Sequence, residues 1–350
     1  MDIFAFLTVT DRSLTSNSTT MPFLNISWKN PVVLILCFLL IVSVRFNRND
    51  LLVKRNLGDA AFYIGNVEYL RGDQISYGLR APFNERLLVT VFAAPLPFDP
   101  MTSINVVNVI FLLLSIFYLF KLLELFDLDP FLIWLGVYMF VVSFPTFYYS
   151  TIGYIDSGVM LSIFAGCFAI YSNKYWLFLV SIVLGTLAKE GIILLIPVAV
   201  AYAYAYDNKK WYAYALMGLV IYFLVWGAVK YYIPNSRGNT PILFWQPIYW
   251  RIRDNFTRLN AYLSSILSFG VPGALLILSF IRWSRKLRQE WKQDLPLWVG
   301  TISGYLLWFY TLFSAHTDGR FFWVAYCFPI ALVLIWWNRY GNPLTKTNDL

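Results

Sequence analysis

Charged side chains cluster in residues 56–86 of an otherwise apolar chain, which is 59% hydrophobic and only 13% charged. The ionisable residues of this segment include Asp59, Asp73, Arg80, Glu85 and Arg86. A carboxylate that faces a membrane cavity can act as a general base and take a proton from an attacking hydroxyl or amide. We interpret Asp59 as this base, and N-capping of a helix that begins at Ala60 is the alternative.

Two arginines flank a proline turn in the sequence RAPFNER, residues 80–86. A guanidinium pairs with phosphate through parallel hydrogen bonds in a fork geometry. Arg80 and Arg86 are therefore candidate ligands for the phosphate or diphosphate of a lipid donor. Anchoring of both side chains to lipid headgroups is the alternative.

Three further charged residues lie at or within apolar runs. Asp156, in TIGYIDSG, opens one run and can either bind sugar hydroxyls or N-cap a helix. Lys189 and Glu190 are neighbours inside another run, and charges at membrane depth are rare and usually functional. We expect this pair to bind substrate, with Lys189 holding a phosphate. A purely structural ion pair is the alternative.

A last polar segment, SAHTDGRFF at residues 314–322, precedes the final apolar run. It contains His316, which is the only histidine, and Arg320, a candidate phosphate ligand at the mouth of a cavity. The chain has no His, Cys, Asp and Glu cluster with metal-site spacing, and no phosphate-loop or dinucleotide motif. We therefore expect no metal and no cofactor.

Membrane-spanning helices have to position these residues. The mean hydropathy is +0.60, and several apolar runs approach the ~20 residues that cross a bilayer. We predict an all-α polytopic bundle of about ten spans, in one integral membrane domain over residues 1–350. The spans are predicted at 30–46, 103–123, 131–149, 157–172, 175–189, 191–206, 211–232, 261–281, 296–313 and 321–338. Residues 87–98 are predicted to form a re-entrant or interfacial helix, because Pro95 and Pro97 interrupt them.

Basic loops predict the sidedness of these spans. Residues 282–294 and the pair Lys209 and Lys210 predict cytoplasmic turns, and both termini are then cytoplasmic. The external loops cover residues 47–102 and 234–260, and the candidate residues share the outer face. Because basic residues fall at helix ends, no nucleic-acid partner is expected. The arrangement requires a break at Lys189, since one helix over 176–206 would be about 46 Å long and would place the first loop on the other face.

The order of these segments resembles the GT-C class of membrane glycosyltransferases. The resemblance rests on GDAAFY at 58–63, PFNERLL at 82–88, GYIDSG at 153–158, LAKEGIILLIP at 187–197 and HTDGRFF at 316–322. In layout it covers most of the chain. The motifs are similar to those of bacterial members that depend on polyprenyl-phosphate sugars.

The resemblance implies an inverting, metal-independent transferase of the bacterial inner membrane. It would move a hexose or pentose from a polyprenyl phosphate to a lipid-linked or glycan acceptor, with membrane lipid around it. Asp59 would be the base, and Arg86, Lys189 and Arg320 would hold the donor phosphate. Many members carry a second carboxylate next to this aspartate, whereas this chain has Ala60, which disfavours a metal-assisted variant. A lipid-linked glycan flippase or polymerase, or a small-solute transporter, would use the same cations without base chemistry at Asp59.

Overall fold

The computed structural model describes residues 58–150, 152–233, 252–253, 255–314 and 319–341. All regular secondary structure in these residues is helical, which confirms the all-α class. Three helical segments are long and apolar enough to cross a membrane, namely Pro100–Glu124, Lys210–Tyr232 and Leu259–Lys286. The protein is therefore a helical membrane protein, and the total of about ten spans stays a prediction. The predicted span at 30–46, most of the loop at 234–260 and His316 lie outside the described residues.

Twelve α-helices are assigned within the described ranges, and short turns of other helix types join some of them. The α-helices are α1 (Asp59–Arg71), α2 (Leu87–Ala93), α3 (Pro100–Glu124), α4 (Pro130–Val141), α5 (Phe144–Tyr149), α6 (Asp156–Tyr171), α7 (Tyr175–Ala188), α8 (Leu195–Ala205), α9 (Lys210–Tyr232), α10 (Leu259–Ser314), α11 (Arg320–Trp323) and α12 (Cys327–Trp336). Two 3₁₀ turns, Phe83–Glu85 and Glu190–Leu194, and a π turn, Trp337–Gly341, complete the set.

Helices α3 and α4 begin with the same local chemistry. Each starts on a proline that follows an aspartate, and proline suits the first helical position because its missing N–H would have no partner there. The aspartates cap the helices: Asp99 Oδ1 accepts from the Thr102 N–H at 3.0 Å, and Asp129 Oδ1 accepts from the Phe131 N–H at 2.8 Å. The sequence Asp-Pro therefore fixes where both helices start.

Proline also interrupts two of the predicted spans. The span predicted at 131–149 is divided into α4 and α5 at residues 142–143, because Pro145 has no N–H to donate back into the preceding turn. The span predicted at 321–338 is divided into α11 and α12 at residues 324–326. Pro329 has no N–H to donate to the carbonyl of Ala325, four residues earlier. That carbonyl instead accepts a hydrogen bond from the Phe328 N–H at 3.1 Å.

The connection from α1 to α3 is organised by Arg71. Only Leu87–Ala93 of the predicted interfacial helix at 87–98 is α-helical. Beyond it, the Arg71 guanidinium donates to the carbonyl oxygens of Ala94 at 2.9 Å and Leu96 at 2.8 Å, and of Phe98 at 2.9 Å. One charged side chain thus replaces the backbone hydrogen bonds that the proline-rich turn cannot make for itself.

Helices α7 and α8 form a hairpin with its turn at Lys189. Lys189 has extended backbone angles (φ −171°, ψ 151°), which end α7. At the other end of the pair, Asn208 Nδ2 donates to Asn173 Oδ1 at 3.1 Å. A single helix would separate these residues by about 50 Å, so the chain reverses at Lys189. The reversal depends on Gly185, where a Cβ atom would lie 2.3 Å from Ile192 Cγ1.

The element Leu259–Ser314 contains two helical segments that lie side by side. Trp308 Nε1 donates to Ser265 Oγ at 3.0 Å, and the Phe280 and Trp298 rings are 5.9 Å apart. Residues so far apart in sequence can meet in this pattern only if the chain turns back between Phe280 and Trp298. This reversal falls between the spans predicted at 261–281 and 296–313, as the predicted connection at 282–294 requires. Much of the backbone on both sides of it is helical, and its side of the membrane stays a prediction.

Helix α6 lies at the centre of the packing. Val159, Met160, Phe164 and Ala169 have no exposed surface, although they point to different sides of the helix. Small residues allow its neighbours to approach closely, as is common where helices pack in a membrane. A Cβ on Gly158 would lie 3.2 Å from Ala188 and from Val89. The first residue of α6 is therefore held at the centre of the bundle.

The bundle has two polar ends. We call the one that carries Asp59, Asp156 and Lys189 the site end. Because α8 runs away from Lys189, its last residues lie at the opposite, distal end, where the Tyr206 hydroxyl donates to the Gln293 carbonyl at 3.4 Å. Asp294, next along the chain, accepts from Trp336 Nε1 at 2.8 Å.

Candidate functional site

Five segments from distant parts of the chain meet at the site end. They are the start of α1, the residue before α2, the start of α6, the break after α7 and the start of α11. Each contributes charged side chains that the sequence analysis singled out, namely Asp59, Arg86, Asp156, Lys189 with Glu190, and Arg320. The helix ends bring the polar groups together, while the helices themselves bury apolar side chains.

Asp156 is the buried centre of this network. Its side chain is only 2% exposed, and Oδ1 accepts from Lys189 Nζ at 2.5 Å while Oδ2 lies 3.7 Å from Arg320 NH1. N-capping is not its role, because Ile155 occupies the cap position and the helix has no side-chain cap. A buried carboxylate between two cations holds both of them in place, and breaking such a contact is costly.

Arg320 connects Asp156 to the candidate base. Its NH2 group donates to Asp59 Oδ2 at 2.8 Å, and its guanidinium lies 4.5 Å from the centroid of the Tyr154 ring. Asp59 does not cap α1 either, because Gly58 precedes the helix with φ +50° and no side-chain cap is formed. The Asp59 side chain is 30% exposed, so it is the part of this pair that a substrate can reach.

Arg86 forms a second branch of the network. Its NH1 group donates to the Tyr63 hydroxyl at 2.9 Å and its NH2 group to Glu190 Oε2 at 3.3 Å. Burial would lower the pKa of Arg86, but Glu190 and Tyr63 outweigh it, and the pKa lies above its ordinary value. Burial raises the pKa of Tyr63. Arg86 therefore stays charged and Tyr63 stays a neutral phenol.

The neighbours Lys189 and Glu190 pair with different partners. Lys189 pairs with Asp156, and Glu190 pairs with Arg86. The two neighbours therefore form separate ion pairs with other segments, and their role in substrate binding stays a prediction. The extended backbone at Lys189 turns the two side chains toward separate branches of the same network.

Two of the predicted site residues are not placed in this network. Arg80 is exposed, and its guanidinium lies 6.0 Å from the centroid of the Phe62 ring. His316 lies outside the described residues, so its relation to the network is not defined.

Sequence reasoning missed aromatic and ionic groups around the network. Tyr63 is four residues after Asp59 and so shares its helix face, a spacing that could have identified it. Phe321 lies under Lys189, with Nζ 4.6 Å from the ring centroid. Lys230 at the end of α9 pairs with Glu85, which no local pattern predicts.

The charges of the network decide what it can bind. Three cations, Arg86, Lys189 and Arg320, are matched by Asp59, Asp156 and Glu190. A bound phosphate therefore has to replace a carboxylate. The exposed fractions are 30% for Asp59 and 44% for Glu190, against 2% for Asp156, so the first two are the exchangeable partners. Among the described residues, no group of three His, Cys, Asp or Glu side chains forms a metal-binding cluster.

Comparisons with protein-family models, curated proteins and solved structures found no match for this chain. The resemblance to GT-C glycosyltransferases therefore stays an expectation from the sequence.

Proposed function

We propose that this protein is a GT-C-like glycosyltransferase that moves a sugar from a polyprenyl-phosphate donor to a lipid-linked or glycan acceptor. The observation that carries the proposal is the contact between a reachable carboxylate and a guanidinium, Asp59 Oδ2 to Arg320 NH2 at 2.8 Å. Glycosyl transfer from a lipid phosphate requires a base for the acceptor and a cation for the leaving phosphate, side by side. We assign these two roles to Asp59 and Arg320 at the site end.

In the proposed reaction, an acceptor hydroxyl oxygen attacks the anomeric carbon of the donor sugar. The bond from that carbon to the phosphate oxygen breaks, and its electron pair leaves with polyprenyl phosphate. The acceptor proton passes to Asp59. A single displacement of this kind inverts the anomeric centre.

The cations would act on the leaving group. Arg320 and Arg86 are paired with the more exposed carboxylates, Asp59 and Glu190. A phosphate can displace these carboxylates, so the two arginines are the proposed phosphate ligands. Lys189 and Asp156 are positioning residues, because their buried pair fixes Arg320. Preorganised cations at a low-dielectric site stabilise charge that develops in the transition state, and this is often the largest contribution to the rate.

The proposal is tested with purified protein in lipid nanodiscs. The donors are a panel of synthetic prenyl-phosphate hexoses and pentoses, a bacterial membrane lipid extract supplies acceptors, and released prenyl phosphate is measured. Asp59→Asn should lower turnover by about 10²- to 10⁴-fold while the donor still binds. The matched control is Asp73→Asn, since Asp73 is exposed in the same polar segment.

Normal turnover in Asp59→Asn would contradict the proposed base. Movement of the lipid-linked sugar across the bilayer without any release of prenyl phosphate, equal in wild type and Asp59→Asn, would favour the flippase instead.

A further inference from the structure

An apolar groove runs along α8, and no residue of the charged network lines it. It has a volume of about 560 Å³ and is lined by Ile196, Val200, Tyr204, Tyr212, Leu295 and Val299, among others. These residues come from α8, the start of α9 and the second half of α10. Along α8 the groove extends from Ile196 to Tyr204, about 12 Å. Val200 and Tyr204 are 41% and 52% exposed, so the groove opens to the surroundings of the bundle.

Three lysines lie near the end of the groove that Tyr204 and Tyr212 line, which we call its mouth. Lys292 Nζ lies 5.3 Å from the centroid of the Tyr204 ring. Lys209 and Lys210 are exposed at the start of α9, just before Tyr212. The nearby exposed carboxylate is Asp207, and the described side chains at the mouth are net positive.

The one other described carboxylate near the mouth faces away from it. Asp294 is 2% exposed and accepts from Trp336 and Arg339 on the inner side of the bundle. It therefore does not neutralise the lysines. An apolar groove with cations at one end matches a molecule with an acyl chain and an anionic headgroup.

We propose that the groove binds one phospholipid with an anionic headgroup, its acyl chain along α8 and its phosphate against Lys292, Lys209 and Lys210. Basic pockets between membrane helices bind anionic headgroups, and each lysine near such a surface contributes a modest attraction. Tyr204 and Tyr212 mark the boundary between the apolar groove and the headgroup level, where tyrosine is enriched. The proposal does not depend on the proposed transferase activity.

The test is native mass spectrometry of the delipidated full-length protein, titrated with phosphatidylglycerol or phosphatidylcholine of identical acyl chains. We expect one phosphatidylglycerol to bind tighter than phosphatidylcholine, with affinity reduced about fivefold for each lysine replaced in Lys292→Gln and Lys209→Gln/Lys210→Gln. Lys121→Gln, an exposed lysine paired with Glu124, is the matched control and should change nothing.

A second variant tests the groove without changing its charge. Val200→Trp fills the apolar part from an exposed position and should abolish the one tight site. Equal affinity of wild type for the two lipids would overturn the proposal, as would unchanged phosphatidylglycerol binding in Val200→Trp. Displacement of the bound lipid by an equimolar prenyl phosphate would show that the groove serves a different ligand, and would overturn the phospholipid as occupant.

Discussion

Removing the candidate base should tighten the binding of a lipid phosphate while it slows turnover. In wild type, a phosphate that binds Arg320 has to displace Asp59, whose Oδ2 lies 2.8 Å from NH2. Asp59→Asn removes that competitor. The Asp59 and Arg320 side chains are 30% and 11% exposed, so we assign the pair the upper value for partly exposed ion pairs, about 1 kcal/mol. That value corresponds to a dissociation constant about fivefold lower in the variant.

The assay is microscale thermophoresis of nanodisc-embedded protein with farnesyl phosphate as the probe. Glu190→Gln should also tighten binding, since Glu190 competes for Arg86 and is more exposed. Asp73→Asn serves as the neutral control. Weaker or unchanged binding in Asp59→Asn would show that Arg320 is not a phosphate ligand. It would refute the proposal that Asp59 is the base and Arg320 binds the leaving phosphate.

Three further variants test how the site is held together. Asp156→Asn should destabilise the protein by about 3–5 kcal/mol, because buried Lys189 loses the carboxylate that compensates its burial, and a thermal unfolding shift in detergent measures this. Tyr63→Phe should weaken farnesyl phosphate binding, because Arg86 loses its hydrogen bond to the Tyr63 hydroxyl. The shape of the pH–turnover profile should not change, because burial raises the pKa of Tyr63 above its ordinary value of 10.0 and keeps the phenol neutral. A changed profile would mean that Tyr63 titrates during turnover. Arg71→Gln should cost about 2–4 kcal/mol through lost carbonyl contacts, whereas the exposed control Arg80→Gln should cost less than about 0.5 kcal/mol.

The sequence was most informative about where the chain has to reverse. Length and charge together predicted that residues 176–206 could not form one helix, and the hairpin at Lys189 agrees with that reasoning. The positive charge of residues 282–294 predicted a second connection between helices. The chain does reverse between Phe280 and Trp298, although helix-forming residues keep much of the backbone there helical.

The roles of the site carboxylates were harder to predict. Asp59 and Asp156 both stand where a helix begins, and aspartate is favoured there for capping as well as for pairing with a cation. Only the three-dimensional contacts separate the two roles. Lys189 pairs with Asp156 and Glu190 pairs with Arg86, and both partners come from other segments of the chain. No local spacing therefore predicts these two ion pairs.

The short hairpin of α7 and α8 determines how deep the site lies in the bilayer. Helix α7 has 14 residues between Lys174 and Lys189, a rise of about 21 Å, whereas the hydrocarbon of a bilayer is about 30 Å thick. With Lys174 at one surface, Lys189 falls short of the other by several ångströms. Hydrophobic mismatch of this size thins the adjacent lipid. The headgroups beside the site would thus sink toward Lys189, so bilayer thickness would set how easily a membrane-anchored phosphate reaches it.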